Sequence, residues 1–257
     1  MSGSMPPPTV LVLGSTGSNG KLVVEGLLQR GCEVRCVARS ASSLGSLAAH
    51  ERVTVIEGSF LAMSPAVFRG HVDGCDAVVS CLGHNLTLRG MFRDPALCTE
   101  ACRMVCDAAE HLKYSEGHRP LKFVLHSSAG CDRPGGADPR RGRLERFVLW
   151  LIRNLVPPHR DNETALAFLG TRAQKKGDPV EWCVVRPDDL VHSDDRVSEY
   201  TLSPTLLNGL FDAKVTTRRN VADFMCRLVT DPTCWSQWRQ TFPMIVDTHQ
   251  PQAKKQR

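Results

Sequence analysis

Short apolar runs alternate with stretches of helical periodicity along most of the chain. The runs are rich in β-branched residues and end at glycine or polar residues, as buried strands do. The stretches between them repeat apolar residues three and four positions apart, which is typical of amphipathic helices. We therefore predict strands at Val10–Leu13, Glu33–Ala38, Val53–Glu57, Ala77–Cys81, Lys122–His126 and Glu181–Val185, and helices at Asn19–Arg30, Ser43–His50, Pro95–Leu112, Arg143–Leu155 and Asn162–Lys175.

Strands separated by helices predict right-handed βαβ crossovers. The expected fold is α/β: a Rossmann-like, doubly wound parallel sheet with helices on both faces. A chain of 257 residues fits one domain over 1–257, with a flexible N-terminus over 1–8.

The pattern changes after Val191. We predict a short strand at Val197–Leu202, a helix at Asn220–Val229 and a late strand at Met244–Val246. In such folds this part of the chain, about 191–246, closes over the carboxyl ends of the strands, where ligands bind. Residues 247–257 are expected to form a polar tail.

Composition and charge narrow the class of protein. With 42% hydrophobic and 23% charged residues, the chain resembles an ordinary globular domain. Its net charge of +5 suits an anionic small ligand but is too small and too dispersed to indicate nucleic acid. The longest apolar segment, Phe147–Ile152, is far shorter than the roughly 18 residues of a membrane span. We expect a small-molecule partner, no nucleic acid, no membrane, and a monomer or weak homodimer.

The cysteines and the N-terminus bear on the compartment. The opening MSGSMPPP has neither a basic nor an apolar region of a secretion signal. An odd count of eleven cysteines then favours reduced thiols and a cytoplasmic protein. Cys98, Cys102 and Cys106 recur on one helical stripe. We interpret them as small residues on a buried face, since no C-x-x-C or matched histidine pair points to a metal.

Three glycines follow the first predicted strand, spaced Gly14-x-x-Gly17-x-x-Gly20. They lie on a strand-to-helix turn, where backbone N–H groups and the positive end of a helix dipole bind phosphate. The spacing differs from G-x-G-x-x-G, but the same needs apply: a tight turn, close approach of the backbone, and close packing of helix on strand. The side chains of Thr16, Ser18 and Asn19 can add hydrogen bonds. We predict a dinucleotide site, with a purely structural turn as the alternative.

The end of the second predicted strand bears on which dinucleotide binds. Sites for NAD place Asp or Glu roughly 20 residues after the glycines, to accept from the ribose 2′-OH. This chain has Arg39 and Ser40 there, and Glu33 is expected at the far end of the strand. A guanidinium and hydroxyl groups suit a 2′-phosphate. We therefore predict NADP(H) over NAD(H); the alternative is an ordinary solvated arginine.

Together with the glycine turn, four segments carry a resemblance to a known family: Val37-Ala38-Arg39-Ser40, Asp76 to Gly83, His126 to Gly130, and Val184 to Leu190. They are similar to the atypical short-chain dehydrogenase/reductases, which include the NmrA-like proteins and the biliverdin reductase B group of flavin reductases. The late helix beginning Asn220-Val221-Ala222-Asp223 also resembles theirs. The similarity runs from Val10 to about Asp231.

The resemblance implies roles for residues at the strand ends. It makes Ser128 the polar group near the nicotinamide, and its catalytic candidates are Ser128, His126 and Asp189. Beyond the glycine turn and Arg39 to Ser40, the expected cofactor contacts are Ser59, Leu82, Gly83, His84 and Pro187. The expected substrate contacts are His84, Asn85, Ser128, Arg160 and Asp189.

The proton relay of typical short-chain dehydrogenases is a Tyr-x-x-x-Lys pair, and this chain lacks it. Its two tyrosines, Tyr114 and Tyr200, fall outside the expected segment, and neither has a lysine four residues later. The resemblance then implies a reductase that transfers hydride to a conjugated flavin, quinone or tetrapyrrole-like acceptor, or to a small carbonyl compound. The alternative is a non-catalytic NADP(H) sensor or scaffold that acts through a protein partner.

Each candidate also has a structural interpretation. Ser127 and Ser128 can bond the backbone at a strand end, and His126 can face the core. Asp161 is expected to cap the helix after it, and Asp188 and Asp189 to cap a turn. Arginines 140, 141, 143 and 146 are expected to be a solvated cluster. An enzyme should have an open pocket lined by His84, Ser128 and Asp189, whereas a sensor should expose an apolar patch, most naturally at Phe147–Ile152.

Overall fold

The structure is a computed structural model that describes residues 6–84, 94–112, 119–135, 138, 141–173, 175–192 and 196–249. Asn85, Tyr114 and Arg140, named above, lie outside these residues. Within the described residues no helix is both long and apolar enough to cross a membrane.

Ten strands form one large and one small sheet. The large sheet has eight strands in the order β3-β2-β1-β4-β5-β6-β10-β8. Its pairs are parallel except for the edge pair of β10 and β8, and β7 pairs in parallel with β9. The strands are β1 (Thr9–Leu13), β2 (Glu33–Ala38), β3 (Val53–Glu57), β4 (Ala77–Ser80), β5 (Leu121–His126), β6 (Val180–Pro187), β7 (Asp189–Val191), β8 (Tyr200–Ser203), β9 (Val215–Thr217) and β10 (Met244–Asp247).

Helices cover both faces of the large sheet, which confirms the predicted α/β fold. Seven α-helices are described: α1 (Ser18–Gln29), α2 (Pro65–Val72), α3 (Leu97–Leu112), α4 (Arg143–Leu155), α5 (Pro157–Arg172), α6 (Arg218–Thr230) and α7 (Pro232–Trp238). The alternation along β1 separates two cores. Val10 and Val12 pack with α1, α6 and α7, whereas Leu11 and Leu13 pack with α2, α3 and α5.

Helices that begin with proline account for most of the differences from the sequence prediction. α2 and α7 were not predicted, although Ser64 and Asp231 cap them and proline occupies their first position. The helix predicted from Asn162 begins at Pro157. The first helical turn needs no N–H donor, so proline is accommodated there rather than breaking the helix.

Two further differences concern local geometry. The predicted helix over Ser43–His50 is a 3₁₀ segment, Ala41–Ala49, interrupted at Gly45 with φ of 62°. The late segments do more than cover the strand ends, because β10 pairs with β6 and extends the main sheet. The remaining predicted strands and helices agree with the structure to within a few residues at each end.

Candidate functional site

A cavity of about 440 Å³ opens at the carboxyl ends of β1, β2 and β4. The chain order reverses between β1 and β4, and this switch point is where open α/β sheets bind ligands. The volume is in the usual range for a small-molecule site. The lining residues are Leu13, Gly14, Thr16, Gly17, Val37, Ala38, Arg39, Gly58, Ser59, Phe60, Leu61, Cys81, Leu82, Gly83, His84, Asp94 and Leu97.

Gly14 and Gly20 are required for steric reasons, and Gly17 closes the turn through its amide. Gly14 has φ of +73°, and a Cβ there would lie 2.7 Å from the Cys81 carbonyl oxygen. A Cβ on Gly20 would lie 2.0 Å from the Gly14 carbonyl oxygen, so α1 packs directly against the turn. The Gly17 amide donates to the Gly14 carbonyl at 3.1 Å and closes the turn. The geometry agrees with the tight turn and close helix packing expected from the sequence.

The N-terminus of α1 presents backbone donors without a side-chain cap. Its N-cap is Gly17, which has no side chain, and its first turn contains no acidic residue. The first N–H groups of a helix have no acceptor within the helix, and the dipole adds positive potential there. Gly17 lines the cavity together with Thr16. The combination is suited to holding a phosphate group.

Arg39 supplies a positive charge to the lining of the cavity. It follows β2 and is exposed, and it makes no hydrogen bond or ion pair with any other residue in the described part of the chain. Ser59 lines the cavity beside it. The Ser40 hydroxyl lies 2.8 Å from that of Ser42 and does not line the cavity. Glu33 is the first residue of β2, so it lies at the amino ends of the strands and away from the cavity, as expected.

His84, one of the residues that line the cavity, forms a buried pair with Asp161. Nε2 of His84 lies 2.8 Å from the Asp161 carboxylate, and the two side chains are 2% and 1% exposed. Burial raises the pKa of Asp161, but hydrogen bonds from His84, from the Thr99 hydroxyl and from the amides of Cys98 and Thr99 outweigh it, so the pKa lies below its usual value. The ionised carboxylate only accepts, so His84 donates through Nε2–H.

Asp161 is therefore a correction to the sequence analysis. It does not cap its own helix, because it lies in the second turn of α5. Its carboxylate accepts from the amides of Cys98 at 2.7 Å and Thr99 at 3.0 Å, in the first turn of α3. A capping interaction between helices far apart in sequence has no local signature. Sequence patterns that look a few residues ahead do not detect it.

The same residues approach a metal-binding arrangement. Ligand atoms of His84, Cys98 and Asp161 all lie within 4.8 Å of one another. Burial, with the neighbouring Asp161, raises the pKa of the Cys98 thiol well above its usual value, so the thiol is protonated. The Asp161 carboxylate in this cluster already accepts hydrogen bonds from His84, Thr99 and the Cys98 amide.

His126 is part of a second network that fixes the glycine turn. Nη1 of Arg218 donates to Oδ1 of Asn19 at 3.0 Å, and Nδ2 of Asn19 lies 3.0 Å from Nε2 of His126. Since Oδ1 accepts, Nδ2 donates, and Nε2 of His126 is the acceptor of a neutral ring. Burial and the Arg218 guanidinium lower the pKa of His126 to about 4. The Asn19 side chain therefore makes hydrogen bonds to both His126 and Arg218 within the protein, and its phosphate contact stays a prediction.

The predicted nicotinamide-side residues lie apart from this cavity. Ser128 is exposed, and its hydroxyl accepts the Gly130 amide at 3.1 Å. The amide of Ala129 donates to the Pro187 carbonyl at 2.8 Å, which places the ends of β5 and β6 together. Of the other predicted contacts, Ser18, Arg160 and Asp189 are exposed and Gly20 is buried under the turn. Within the described residues none of these lines the cavity, and Asn85 is outside them.

A buried arginine that the sequence analysis did not single out supports the same strand ends. Arg186, near the end of β6, is fully buried. It donates to the Phe242 and Cys131 carbonyl oxygens at 3.0 and 3.3 Å and pairs with Asp138 at 3.0 Å. It therefore ties the segment after β5 to β6 and β10. Its position before a proline was part of the resemblance, but burial of its charge has no sequence signal.

Comparisons with known proteins identify the family. A family model described as NAD(P)H-binding matches residues 14–232, most of the chain. The chain belongs to this NAD(P)H-binding family. The match begins at the glycine turn and ends after α6, so it includes every lining residue of the cavity except Leu13. No curated protein matches the chain. The predicted resemblance to atypical short-chain dehydrogenase/reductases is confirmed at this level.

Solved structures share the fold at low sequence identity. The oxidoreductase ylbE from Lactococcus lactis has a TM-score of 0.66 at 15% identity, with 94% of this chain and 92% of that chain covered. A short-chain dehydrogenase/reductase from Veillonella parvula, in complex with NADP, has a TM-score of 0.66 at 17% identity, covering 95% and 96%. A protein from Streptococcus pneumoniae, proposed to be an NADH-flavin reductase, has 0.63 at 15%, covering 93% and 99%.

Proposed function

We propose that the protein is an NADP(H)-dependent oxidoreductase that reduces a small conjugated or carbonyl compound. The observation that carries the proposal is the cavity itself. A helix N-terminus at Gly17 without a side-chain cap and Arg39, which pairs with no other residue among those described, line the same cavity. A dinucleotide with a pyrophosphate and a 2′-phosphate needs these two positive features, one for each anionic group.

The proposed binding mode assigns each part of the cofactor to residues of the cavity. The amides that follow Gly14 and Gly17 would hold the pyrophosphate, and Arg39 with Ser59 would hold the 2′-phosphate. His84, which lines the cavity and donates Nε2–H to Asp161, would contact the cofactor or substrate through the rest of its ring. When bound, the cofactor supplies a hydride. The protein's part is to orient it and to exclude water.

The reduced substrate also needs a proton. Tyr200 is not suited to donate it, because its hydroxyl donates to Asp223 and accepts from Arg227. His126 is neutral at neutral pH, and its Nε2 is occupied by Asn19. Ser128 remains the polar group proposed beside the substrate. A conjugated acceptor that takes its proton from solvent fits this arrangement, which favours flavin, quinone or tetrapyrrole-like substrates.

Turnover with model acceptors tests the proposal. Purified protein is mixed with NADPH or NADH and with FMN or a quinone, and oxidation of the reduced cofactor is followed. The expected result is NADPH oxidation that falls about tenfold or more in Ser128→Ala, whereas Ser236→Ala, at an exposed serine of α7, keeps the wild-type rate. Equal rates in both variants would contradict the role of Ser128.

One observation favours the second candidate function, a non-catalytic NADP(H)-binding sensor or scaffold. Phe147 and Trp150, within the segment where the sequence analysis looked for an exposed patch, are more than half exposed. Tight binding of NADPH without oxidation by any acceptor would support this alternative. Such a result would leave the proposed binding of NADP(H) in the cavity unchanged.

A further inference from the structure

Helix α4 turns an apolar face to solvent. Of the eight large hydrophobic residues that are exposed among the described residues, five belong to this helix. Phe147 and Trp150 stack with ring centroids 6.1 Å apart. We call these five residues the α4 face, and they are Leu144 (65% exposed), Phe147 (56%), Trp150 (53%), Leu151 (36%) and Leu155 (73%).

Packing within the described chain leaves the α4 face exposed. The residues that α4 buries are Glu145 and Leu149, so a carboxylate points inward and the largest apolar side chains point outward. The Glu145 carboxylate accepts from the amides of Gly142 and Leu210, which fixes the rotation of the helix about its axis. A surface helix normally buries its apolar stripe. The inverted arrangement on α4 therefore indicates a contact made outside the folded chain.

The exposed ionisable side chains of α4 are all cationic. Arg143, Arg146 and Arg160 are exposed, and their side chains form no ion pair or hydrogen bond with the rest of the described chain. Arg153 is already neutralised by Glu163 and Asp132. The one acidic residue of α4, Glu145, is buried and bonded. The α4 face thus has a cationic rim without exposed carboxylates on the helix.

We propose that the α4 face docks on an anionic lipid surface. Trp, Phe and Leu side chains enter the boundary between headgroups and acyl chains, while arginines bind lipid phosphates. The helix lies in the plane of the membrane and does not cross it. No membrane partner was expected from the sequence because no apolar segment is long enough to span a bilayer, but a surface contact needs no spanning segment.

The charge of the face argues against a second copy of this chain as the occupant. Pairing α4 with the same helix of another copy would bring Arg143 and Arg146 of both chains to one interface, and like charges oppose it. A lipid surface receives an exposed apolar helix face without a preformed groove.

The intrinsic fluorescence of Trp150 can report docking of the α4 face. The other three tryptophans, Trp182, Trp235 and Trp238, are buried, so a change of emission on docking comes from Trp150. The full chain is titrated with vesicles of pure phosphatidylcholine and with vesicles that contain phosphatidylserine. The expected result is a blue shift and co-sedimentation with the anionic vesicles, much weaker with the neutral ones and reduced by added salt.

Variants separate the face from the overall charge. Phe147→Ser with Leu151→Ser, and separately Arg143→Glu with Arg146→Glu, are each expected to weaken anionic-vesicle binding about tenfold or more. Lys176→Glu with Arg196→Glu makes the same change in net charge at exposed residues outside α4 and should bind like the wild type. Circular dichroism and NADPH titration establish that each variant is folded.

Three results would overturn the proposal. The first is no binding of the wild type to anionic vesicles. The second is equal loss in the control variant, which would mean that net charge alone drives binding. The third is a concentration-dependent dimer that protects Trp150 without lipid, which would assign the face to a second copy of this chain.

Discussion

At the residue scale, Gly20 is the position where a side chain is least tolerable. A Cβ there would lie 2.0 Å from the backbone oxygen of Gly14, and neither backbone can move without breaking the turn. We expect Gly20→Ala to lower the free energy of unfolding by about 3 kcal/mol and to weaken NADPH binding. Urea denaturation and cofactor titration measure the two effects.

Gly17 provides the matched control. A Cβ at Gly17 would lie 3.4 Å from its nearest atom, and its φ of −72° suits any residue. We expect Gly17→Ala to change the free energy of unfolding by under about 1 kcal/mol. Equal destabilisation by the two substitutions would contradict the packing account of the turn.

His126 makes the stability depend on pH. Its pKa in the folded protein is about 4, below the usual 6.5, so folding favours the neutral ring. Its contribution is therefore complete above pH 6.5 and is lost as pH falls toward 4, by on the order of 2 kcal/mol. His126→Gln keeps an acceptor for Asn19 but does not titrate. The free energy of unfolding, measured between pH 7 and 4, should therefore depend less on pH in this variant than in the wild type.

The control for this experiment is a solvent-exposed histidine. His249 lies near the end of the described chain with its side chain 84% exposed. His249→Gln should keep the wild-type slope of stability against pH. If the His126 variant also keeps that slope, the neutral, buried state of the ring is wrong.

The sequence indicates those residue positions whose cause is local. The glycine turn, the position of Arg39 after β2 and the placement of Glu33 all follow from a few neighbouring residues. Contacts between distant segments have no such local signal. The Asn19 amide joins β5 to α6 through His126 and Arg218, which its place in the turn does not indicate.

At the element scale, Asp161 joins α5 to the start of α3. Asp161→Asn places an amide N–H₂ against backbone and side-chain donors, so the buried hydrogen bonds cannot all form. We expect a loss of about 3 kcal/mol in the free energy of unfolding. Asp107→Asn, at an exposed position of α3, should change it by less than about 0.5 kcal/mol. Chemical denaturation of the two variants compares them, and similar losses would refute the role of Asp161.

The elements themselves were largely predictable, because the hydrophobic period changes cleanly between strands and helices. β2, β3 and α4 were predicted with the bounds that the structure has. The prediction of α5 was wrong by five residues at its start because Pro157 and Pro158 resemble a break. The small strands β7 and β9 were missed, since three residues are too few to show alternation.

At the scale of the whole molecule, the two cores enclose almost all the thiols. Ten of the eleven cysteines are buried, and the other, Cys81, is intermediate. Burial raises the pKa of Cys36 to about 11 and that of Cys81 to about 12. We expect a thiol reagent at pH 8 to find no rapidly reacting group in the native protein and eleven after denaturation. Fewer than eleven would reveal a disulfide.

The sheet order could not be read from the sequence, although the parallel fold could. Hydrophobic periodicity identifies strands but not their neighbours, and the reversal between β1 and β4 is a property of chain crossovers. The cavity depends on that reversal, which brings the glycine turn, Arg39 and His84 to one edge. The sequence therefore indicates these residues one by one but not their arrangement around the cavity.

The central claim is that this cavity selects NADP(H), and equilibrium titration of NADPH and NADH tests it most directly. The wild type should bind NADPH at least about tenfold more tightly than NADH. Arg39→Ala should remove that preference by weakening NADPH alone, while Arg196→Ala, at another exposed arginine, should keep it. Equal affinity of the wild type for both cofactors, or binding of neither, would contradict the account.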